Sequence, residues 1–415
     1  MRVFVTGLGP VCSLGRDART VWEGLLQGRT GVARVGRLAS APVPFGAEVR
    51  DFPPPGLFEA SEEGYDLAMK FAVVAAHGAL ADANLLGPGG AKYLAPAGSS
   101  AERAAVLVGT SRGATALLEA SVLEHRDRGP RMVGRRVSPL TTPGNLSGAV
   151  SRHFALRGPA FTLSAACASA AQAIGLGLDL IRAGRADVVL AGGTEAPLTP
   201  FVIAMFASTG ILSRRSDEPE RAARPFDRDR DGIVLGEGAA MVVLESESFA
   251  RARGARLYCE LRGWGASSDA HSLTGLPPDG EGLARAIRAA LEDAGTPPGA
   301  VDYVHAHGTG TRSGDIAETV ALKTALGPRA RAIPVSSTKS MTGHLIGAAG
   351  GLGALVCALA VAEGRVPPTL NLETPDPACD LDYVPREARR HPVRVALLDA
   401  MGFGGNNAAL VFGSV

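Results

Sequence analysis

The chain has 415 residues, of which 46% are hydrophobic and 20% are charged, and its formal net charge is +1. Because this length exceeds one ordinary core, we expect two structural units in one compact body. The near-neutral charge argues against a protein that binds nucleic acid or another polyanion. The five cysteines are widely spaced and form no CxxC pair, which argues against a disulfide framework and against a zinc site.

The N-terminal sequence MRVFVTGLGP enters a predicted strand directly and lacks the long apolar core of a signal peptide. The chain has no run of about 18 uninterrupted apolar residues, which a membrane-spanning helix requires. We therefore expect a cytoplasmic protein without a membrane span.

Apolar runs and helical periodicities alternate along the chain, a pattern typical of α/β proteins. Strands are predicted at 2–6, 104–108, 161–163, 186–191, 238–245, 258–267, 302–306, 334–336, 393–399 and 408–412. Helices are predicted at 21–26, 65–84, 117–124, 145–154, 171–181, 282–294, 317–326 and 347–363, and the last is so apolar that it must be buried. Turns or loops are predicted at 7–10, 41–57, 88–103 and 129–143, and throughout the segment that includes 224–232.

The central stretch, Phe161 to Thr194, predicts a strand, a helix and a second strand around Cys167. Apolar residues recur with helical spacing from Ala171 to Ile181, so the helix begins just after the cysteine. The positive end of a helix dipole favours a thiolate at such a position. Small neighbouring residues leave room for a substrate to approach the sulfur. A small buried core cysteine is the alternative interpretation.

A strand, a small-residue turn and an apolar helix occur at 161–181 and again at 333–362. The turn carries Cys167 in the first copy, and Lys339 and His344 in the second. Two similar α/β halves would bring these turns together at one site. We place the boundary in the polar stretch 246–256, which divides the chain into an N-terminal half, 1–250, and a C-terminal half, 251–415.

Two histidines lie in glycine-flanked turns after predicted buried strands: His307 in HAHGTGT and His344 in KSMTGHLIGAAG. Strand ends followed by glycine-rich loops are where α/β proteins place functional groups. Either histidine alone could be structural. Together with Cys167 in an echoing unit, they favour a catalytic interpretation. His305 lies inside the preceding strand, so we interpret it as structural.

Lys339 sits in a turn of small residues. It is either a solvated lysine or a fixed positive charge near His344 and near Asp315 or Glu318, where it would hold the protonation pattern of a site.

Thr309 and Thr311 alternate with glycines, so their hydroxyls either bind a flexible polar ligand or form the turn. Phe403 lies in the glycine turn GFGGNN. It is either a gate whose backbone N–H serves an oxyanion or a plug of the core.

Three other segments resemble known functional motifs, but their sequence context argues against those functions. The GAAGGLG sequence at 347–353 resembles a dinucleotide-binding pattern but lies inside an apolar helix. The GTSRG sequence at 109–113 matches the spelling of a serine hydrolase elbow, but no further histidine stands out to complete a triad, so we predict a plain turn. The DRDRD sequence at 227–231 alternates aspartates with arginines, so we predict an ion-paired loop rather than a metal site.

Seven segments together resemble the beta-ketoacyl-acyl-carrier-protein synthases, specifically the decarboxylating Cys-His-His type of the thiolase superfamily. They are VTGLGPVCSLG, SAACASAAQAIG, AGGTEA, RPFDRDRDGIVLGEGAAMVVLE, AHGTGTRSGDIAE, SSTKSMTGHLIGAAG and GFGGNNAAL, which span essentially the whole chain in the family order. The resemblance implies the thiolase fold, with two pseudo-symmetric α/β halves in a five-layer α-β-α-β-α arrangement, usually as a dimer. This agrees with the internal echo.

The resemblance also implies a reaction. Cys167 would take an acyl chain from the phosphopantetheine thioester of an acyl carrier protein. His307 and His344 would assist the decarboxylation of malonyl carrier protein and stabilise the enolate. The backbone N–H groups of Cys167 and Phe403 would hold the oxyanion when the carbanion attacks the acyl-enzyme. Lys339 would act electrostatically, with Glu318 as its partner.

The same resemblance assigns substrate-binding positions. Thr309 and Thr311 would line the pantetheine tunnel, and the remaining substrate-binding candidates are Arg112, Phe206, Thr274 and Met401. No metal and no resident cofactor are implied, since phosphopantetheine arrives on the carrier protein. The implied partners are acyl and malonyl carrier proteins and a second ketosynthase-like subunit, in a homodimer or a heterodimer. No nucleic acid and no membrane are implied.

The chain departs from the pattern of fatty-acid members at three positions. Met401 replaces an aromatic residue before the gate, Asn406 replaces a threonine after it, and Arg112 stands where a branched apolar residue often closes the acyl pocket. A cation there would block or repolarise the pocket for a long alkyl chain, unless it pairs with an acid at a partner subunit. We therefore favour a specialised type II polyketide or polyene enzyme over a housekeeping fatty-acid synthase.

Three alternatives are weighed against this function. A degradative thiolase needs a second cysteine near the C-terminal glycine turn, which GFGGNN lacks. Starter-condensing relatives carry an asparagine at the position of His344. A non-catalytic chain-length partner would have lost Cys167, which this chain retains.

Overall fold

The computed structural model describes residues 1–87, 93 and 100–415. Within these ranges the strands are β1 (Val3–Val11), β2 (Val32–Arg34), β3 (Phe45–Ala47), β4 (Ala104–Gly109), β5 (Ala160–Leu163), β6 (Val188–Glu195), β7 (Gly238–Ser246), β8 (Cys259–Ser268), β9 (Tyr303–His305), β10 (Val335–Ser336), β11 (Arg365–Val366), β12 (Arg389–Arg390), β13 (Val395–Gly402) and β14 (Asn406–Gly413). The α-helices in the same ranges are α1 (Ala18–Leu26), α2 (Leu67–Asp82), α3 (Thr115–Arg128), α4 (Val137–Thr141), α5 (Asn145–Phe154), α6 (Ser169–Arg182), α7 (Pro200–Ser208), α8 (Glu247–Ala252), α9 (Glu281–Asp293), α10 (Arg312–Leu326), α11 (Lys339–Thr342) and α12 (Ala349–Glu363).

The main sheet consists of two groups of five strands that repeat one topology. Its order is β5-β4-β6-β7-β1 followed by β8-β14-β13-β9-β10. In each group the three strands farthest from the junction run parallel, and the two nearest it are antiparallel to their neighbours. The groups meet where β1 pairs with β8 over two residue pairs. The chain therefore folds into two pseudo-symmetric halves, as the internal echo predicted.

The helices complete the layers. Helices α6 and α12 pack against each other in the centre, where α6 contacts β4 and β6 while α12 contacts β7 and β13. On the outside, α2 and α5 cover the first group of strands, α9 covers the second, and α10 packs beside α9. This is the five-layer α-β-α-β-α thiolase fold that the sequence predicted. The predicted division at 250/251 falls within α8, between β7 and β8, and stays a prediction.

Helix α12 is the apolar core helix that the sequence predicted. The stretch Ile346–Glu363 is long and apolar enough to cross a membrane, with a mean hydropathy of 1.8, but 78% of it is buried within the protein. It contacts strands of both halves of the sheet. The site described below lies at the N-terminal ends of α6 and α12, where the two halves meet.

The first strand shows where the local prediction was wrong. The sequence predicted a turn at Gly7–Pro10, yet β1 continues to Val11. A Cβ atom at Gly7 would lie 2.2 Å from the carbonyl oxygen of Ala79, and one at Gly9 would lie 2.0 Å from that of Ala75. The glycines therefore allow the backbone of α2 to lie directly on the strand.

Several helices were missed or shortened. Helix α7 lies in the segment predicted as loop, although Thr199 caps it through a hydrogen bond to the N–H of Val202 and Pro200 occupies its first turn. Helix α10 begins at Arg312 rather than Ala317, because Ser313 and Gly314 were interpreted as loop. In the predicted loop 88–103, residues 88–92 and 94–99 lie outside the described residues, and Ala101–Arg103 form a short 3₁₀ turn.

Candidate active site

Cys167 occupies a tight turn between β5 and α6. The preceding residue, Ala166, adopts a left-handed conformation with φ of 51°, which is uncommon for a residue with a side chain. The hydroxyl of Ser169 fastens this turn, because it accepts from the N–H of Ala165 at 2.8 Å and lies 2.6 Å from the carbonyl of Ala166. The Cys167 side chain is thereby held toward the cavity described below.

The thiol of Cys167 is neutral in this resting arrangement. Burial raises its pKa to about 12, and the positive charges of Lys339 and Arg112 only partly oppose this rise. The prediction that the helix terminus would favour a thiolate is therefore wrong for the resting site, since loss of hydration outweighs the dipole. A proton acceptor is needed when the sulfur attacks a substrate.

His344 provides that acceptor. Its Nε2 lies 3.1 Å from the Sγ of Cys167. Its backbone is clamped on both sides, since its N–H donates to the carbonyl of Val234 at 2.7 Å and its carbonyl accepts from the N–H of Gly236 at 2.9 Å. The imidazole is thus fixed against the sulfur by backbone contacts with the opposite half of the chain.

His307 completes the group. Its ring centre lies 5.5 Å from that of His344, and the two rings are nearly perpendicular, at 88°. Burial, reinforced by the nearby charge of Lys339, lowers the pKa of both imidazoles well below the ordinary value. Both rings are therefore neutral at physiological pH, so each offers one N–H donor and one nitrogen acceptor.

Lys339 lies behind His307. Its ammonium donates to the carbonyl oxygen of His307 at 2.5 Å, and its side chain is buried. Burial lowers the pKa of Lys339, while the charges of Glu318 and Asp399 oppose that effect. The structure shows no direct ion pair between the Lys339 ammonium and Glu318. Its Oε2 accepts from the N–H of Gly308 at 2.8 Å.

Asp399 is the second carboxyl beside Lys339, and the sequence did not point to it. Its Oδ1 accepts from the backbone N–H of His307 at 3.0 Å. Burial raises the pKa of Asp399 to about 6. Burial, together with the neighbouring Asp399 charge, raises the pKa of Glu318 well above its ordinary value.

These two carboxyls share a proton. Asp399 and Glu318 each have one buried oxygen without a donor among the described residues, Oδ2 and Oε1 respectively. A proton on Glu318 that is donated to Asp399 satisfies both oxygens and leaves a single negative charge to balance Lys339. The net charge of Lys339, Asp399 and Glu318 is therefore zero.

Ten of the twelve predicted site residues line one cavity of about 130 Å³. They are Cys167, His307, His344, Thr309, Thr311, Arg112, Phe206, Thr274, Met401 and Phe403. Lys339 and Glu318 lie outside its wall, behind His307. No sequence motif pointed to several apolar residues of the wall: Ile211, Ile233, Leu276 and Ile346.

The Phe403 turn packs directly on the cysteine turn. A Cβ at Gly402 would lie 2.5 Å from the carbonyl of Ala165 and 3.1 Å from the nitrogen of Cys167. Gly404 and Gly405 follow with φ of 77° and 75°, conformations that glycine adopts readily. The backbone nitrogens of Cys167 and Phe403 therefore approach the same end of the cavity.

Glu195, at the end of β6, joins two loops of the site. It accepts from the N–H groups of Ser111 at 2.7 Å, Arg112 at 3.0 Å and Gly347 at 3.0 Å, and from the hydroxyl of Thr110 at 3.2 Å. The GTSRG segment is thus the turn that the sequence predicted, and this carboxyl ties it to the loop after His344. The sequence AGGTEA did not predict that Glu195 would join these two loops.

Two further interpretations hold. His305 lies in the core, with its Nε2 3.0 Å from the hydroxyl of Thr338. The DRDRD loop is ion-paired, both within itself, where Arg228 and Asp229 lie 3.5 Å apart, and with more distant partners. Arg230 is fully buried and lies 3.1 Å from Asp315 and 2.7 Å from Asp376. Asp315 is therefore the direct partner of Arg230, and its charge also acts on Lys339, as the sequence predicted for one of the two acids.

Comparison with known families and proteins identifies close similarities. The model of the beta-ketoacyl synthase N-terminal domain matches residues 1–250, and that of the beta-ketoacyl synthase C-terminal domain matches residues 258–373. The chain is 42% identical over 414 residues to 3-oxoacyl-[acyl-carrier-protein] synthase 2 of Synechocystis, covering 99% of this chain and 97% of that protein. It is 40% identical over 415 residues to the enzyme of the same name from Staphylococcus aureus, covering 99% and 98%.

Solved structures with the same architecture include ketosynthases of polyketide pathways. The ishigamide ketosynthase/chain length factor matches with a TM-score of 0.90 and 35% identity, and a type II polyketide ketosynthase solved with its acyl carrier protein and bound hexaketide matches with 0.90 and 34%. A beta-ketoacyl synthase from Burkholderia phymatum matches with 0.91 and 35%. Each comparison covers 100% of this chain and 99% of the other.

Proposed function

This chain belongs to the beta-ketoacyl synthase family, and we propose that its Cys167 carries an acyl chain that a decarboxylated malonyl unit then attacks. The family's enzymes are acyltransferases that form carbon–carbon bonds. The observation that carries the proposal is the contact of 3.1 Å between the Cys167 sulfur and Nε2 of a neutral His344, with His307 in the same cavity.

In the first step, the thiol attacks the carbonyl carbon of an acyl thioester. His344 accepts the proton from Sγ, which is too weakly acidic to ionise alone at neutral pH. The new sulfur–carbon bond forms, the pantetheine thiolate leaves, and the proton returns to it. The product is an acyl-enzyme on Cys167.

In the second step, malonyl carrier protein loses carbon dioxide. The electron pair of the broken carbon–carbon bond moves into the thioester, so its carbonyl oxygen becomes an enolate oxygen. Neutral His307 donates an N–H to this oxygen, and His344 does so in the tautomer that carries its hydrogen on Nε2. The positive charge of Lys339 supports the two histidines in this step, because it helps keep both imidazoles unprotonated before the reaction.

In the third step, the enolate carbon attacks the acyl carbonyl on Cys167. The backbone N–H groups of Cys167 and Phe403 stabilise the tetrahedral oxyanion. Its collapse breaks the bond to Cys167 and releases the beta-ketoacyl thioester, and the sulfur takes a proton from solvent. The sequence of steps consumes no oxidant or reductant.

The substrates reach the cavity on an acyl carrier protein, with the phosphopantetheine arm along Thr309 and Thr311. The hydroxyls of these residues lie 3.3 Å apart at the cavity wall. The protein therefore needs no phosphopantetheine of its own. A second ketosynthase-like subunit, identical or different, completes the enzyme. The ketosynthase/chain length factor and the ketosynthase–carrier complex among the similar structures support both kinds of partner.

We favour type II polyketide or polyene synthesis over housekeeping fatty-acid elongation. Arg112 supports this choice, because its guanidinium lines the same cavity as Cys167, and a long saturated chain gains nothing from a cation. The alternative, an elongating synthase of fatty-acid synthesis, is favoured by the names of the relatives that are 40% and 42% identical.

The test is acylation of purified protein by acyl carrier proteins of graded chain length, followed by intact-mass spectrometry and assay of condensation with malonyl carrier protein. We expect one acyl adduct, absent in Cys167→Ala and retained in Cys12→Ala, which removes another buried thiol. Loading of only short or unsaturated chains supports the specialised enzyme. Efficient loading of long saturated chains supports fatty-acid elongation, and the absence of any adduct would refute the catalytic role of Cys167.

A further inference from the structure

The guanidinium of Arg112 is a cation without a polar side-chain partner in the cavity that holds Cys167. Among the described residues, its side chain makes no hydrogen bond and no ion pair, and its contact is with the ring face of Phe206, 4.9 Å from the ring centre. The backbone does the anchoring instead, since the N–H of Arg112 donates to Glu195 at 3.0 Å. The turn is fixed while the five donors of the guanidinium remain free.

Arg112 is exposed, and the cavity wall beside it is mostly apolar. Phe206, Ile233, Ile346 and Met401 line the same cavity. An acyl chain in this cavity therefore lies close to both Cys167 and Arg112.

An alkyl chain would remove water from the guanidinium and offer no acceptor in return, which is unfavourable for the bound complex. A keto or carboxylate oxygen would replace that water with a charge-assisted hydrogen bond. The contact with the ring face of Phe206 favours a position of the guanidinium over the cavity.

We propose that Arg112 selects acyl chains that carry an oxygen acceptor, either a keto or a carboxylate group, a few atoms from the thioester. The selection acts during loading of Cys167 and rests on the proposed function. Arg112 is therefore a specificity-determining residue, and its donors contact the substrate rather than the reacting carbonyl.

The test compares three acyl pantetheine thioesters of equal chain length: butanoyl, 3-oxobutanoyl and succinyl. Loading of Cys167 is measured by intact mass over time in the wild type, Arg112→Met and Arg112→Lys. Because intrinsic thioester reactivity is the same for every variant, the ratio of oxygenated to butanoyl loading isolates recognition. We expect this ratio to fall about tenfold or more in Arg112→Met and to be partly retained in Arg112→Lys. A fall for succinyl alone assigns the site to carboxylates, and a fall for 3-oxobutanoyl alone assigns it to keto groups.

Arg112 also acts on the thiol itself, so alkylation of Cys167 by iodoacetamide is measured in each variant, and thermal melting confirms that each is folded. An unchanged ratio in Arg112→Met, with butanoyl loading intact, overturns the selectivity proposal and leaves the proposed function standing. Failure of all three thioesters to load the folded wild type, while iodoacetamide still alkylates Cys167, overturns both.

Discussion

Replacing Asp399 with asparagine should stabilise the protein at neutral pH. Burial raises the folded pKa of Asp399 from its ordinary 3.8 to about 6. Between these values the folded state binds more protons than the unfolded state, so the free energy of unfolding falls as the pH rises through this window. A shift of about two units corresponds to about 3 kcal/mol at pH ~7.5 and about half of that at pH ~5.

Asparagine preserves the contacts of Asp399. Its Oδ1 can still accept from the N–H of His307, and its amide N–H occupies the place of the proton shared with Glu318. Glu318 then ionises in place of Asp399 and balances the charge of Lys339, so one buried carboxyl replaces two and no group is left unpaired. We expect Asp399→Asn to exceed the wild type in stability by up to about 3 kcal/mol at neutral pH, and by less in acid.

The assay is equilibrium urea unfolding of both proteins across this pH range, with Asp227→Asn as the matched control. Asp227 is equally buried, but it pairs with Arg224 at 3.2 Å and accepts from the N–H groups of Asp229, Glu373 and Thr374. The same chemical change there should destabilise the protein by more than about 1 kcal/mol. The reasoning is refuted if Asp399→Asn is less stable than the wild type at neutral pH, or if their difference does not grow with pH.

Three further outcomes follow from the site. Cys167→Ala should lose condensation but still decarboxylate malonyl carrier protein, because His307 and His344 remain. Release of carbon dioxide measures the decarboxylation. Loss of both reactions would contradict separate roles for the cysteine and the histidines. Alkylation of Cys167 by iodoacetamide should rise about tenfold per pH unit up to pH ~9, because its pKa of about 12 keeps the thiol protonated; a plateau below pH ~8 would instead indicate a thiolate–imidazolium pair. Glu195→Ala should cost roughly 3–6 kcal/mol in urea unfolding, because three backbone N–H groups lose their acceptor, and Glu195→Gln should cost less; a loss below ~1 kcal/mol would exclude its bridging role.

The groups that the sequence predicted well are carried by local patterns. Cys167, His307 and His344 each follow a strand in a turn of small residues, and such turns can be recognised within about ten residues of chain. The repeated strand–turn–helix unit predicted that the turns would meet. Pairing of strands in two equivalent five-stranded groups brings them to one cavity.

The groups that the sequence did not predict depend on tertiary contacts. Asp399 lies in the apolar strand β13 and resembles any strand residue until the parallel pairing of β13 with β9 places it under His307. Gly7 and Gly9 occur in a sequence that is typical of a turn. In the structure, however, their lack of a side chain allows the backbone of α2 to contact the strand. The sequence predicted the helix terminus at Cys167. It did not predict the free-energy cost of burying a thiolate there, because that cost depends on the complete site.

Burial of α12 has a consequence for the order in which the chain is synthesised. Its stretch Ile346–Glu363 could insert into a lipid bilayer if it remained uncovered. Strand β7 and helix α6, which pack on it, leave the ribosome earlier, but β13 begins only at Val395. The N-terminal half therefore acts as a preformed template that shields the nascent helix on one side. A ribosome that stalled between Glu363 and Val395 would expose its other side to membranes and chaperones.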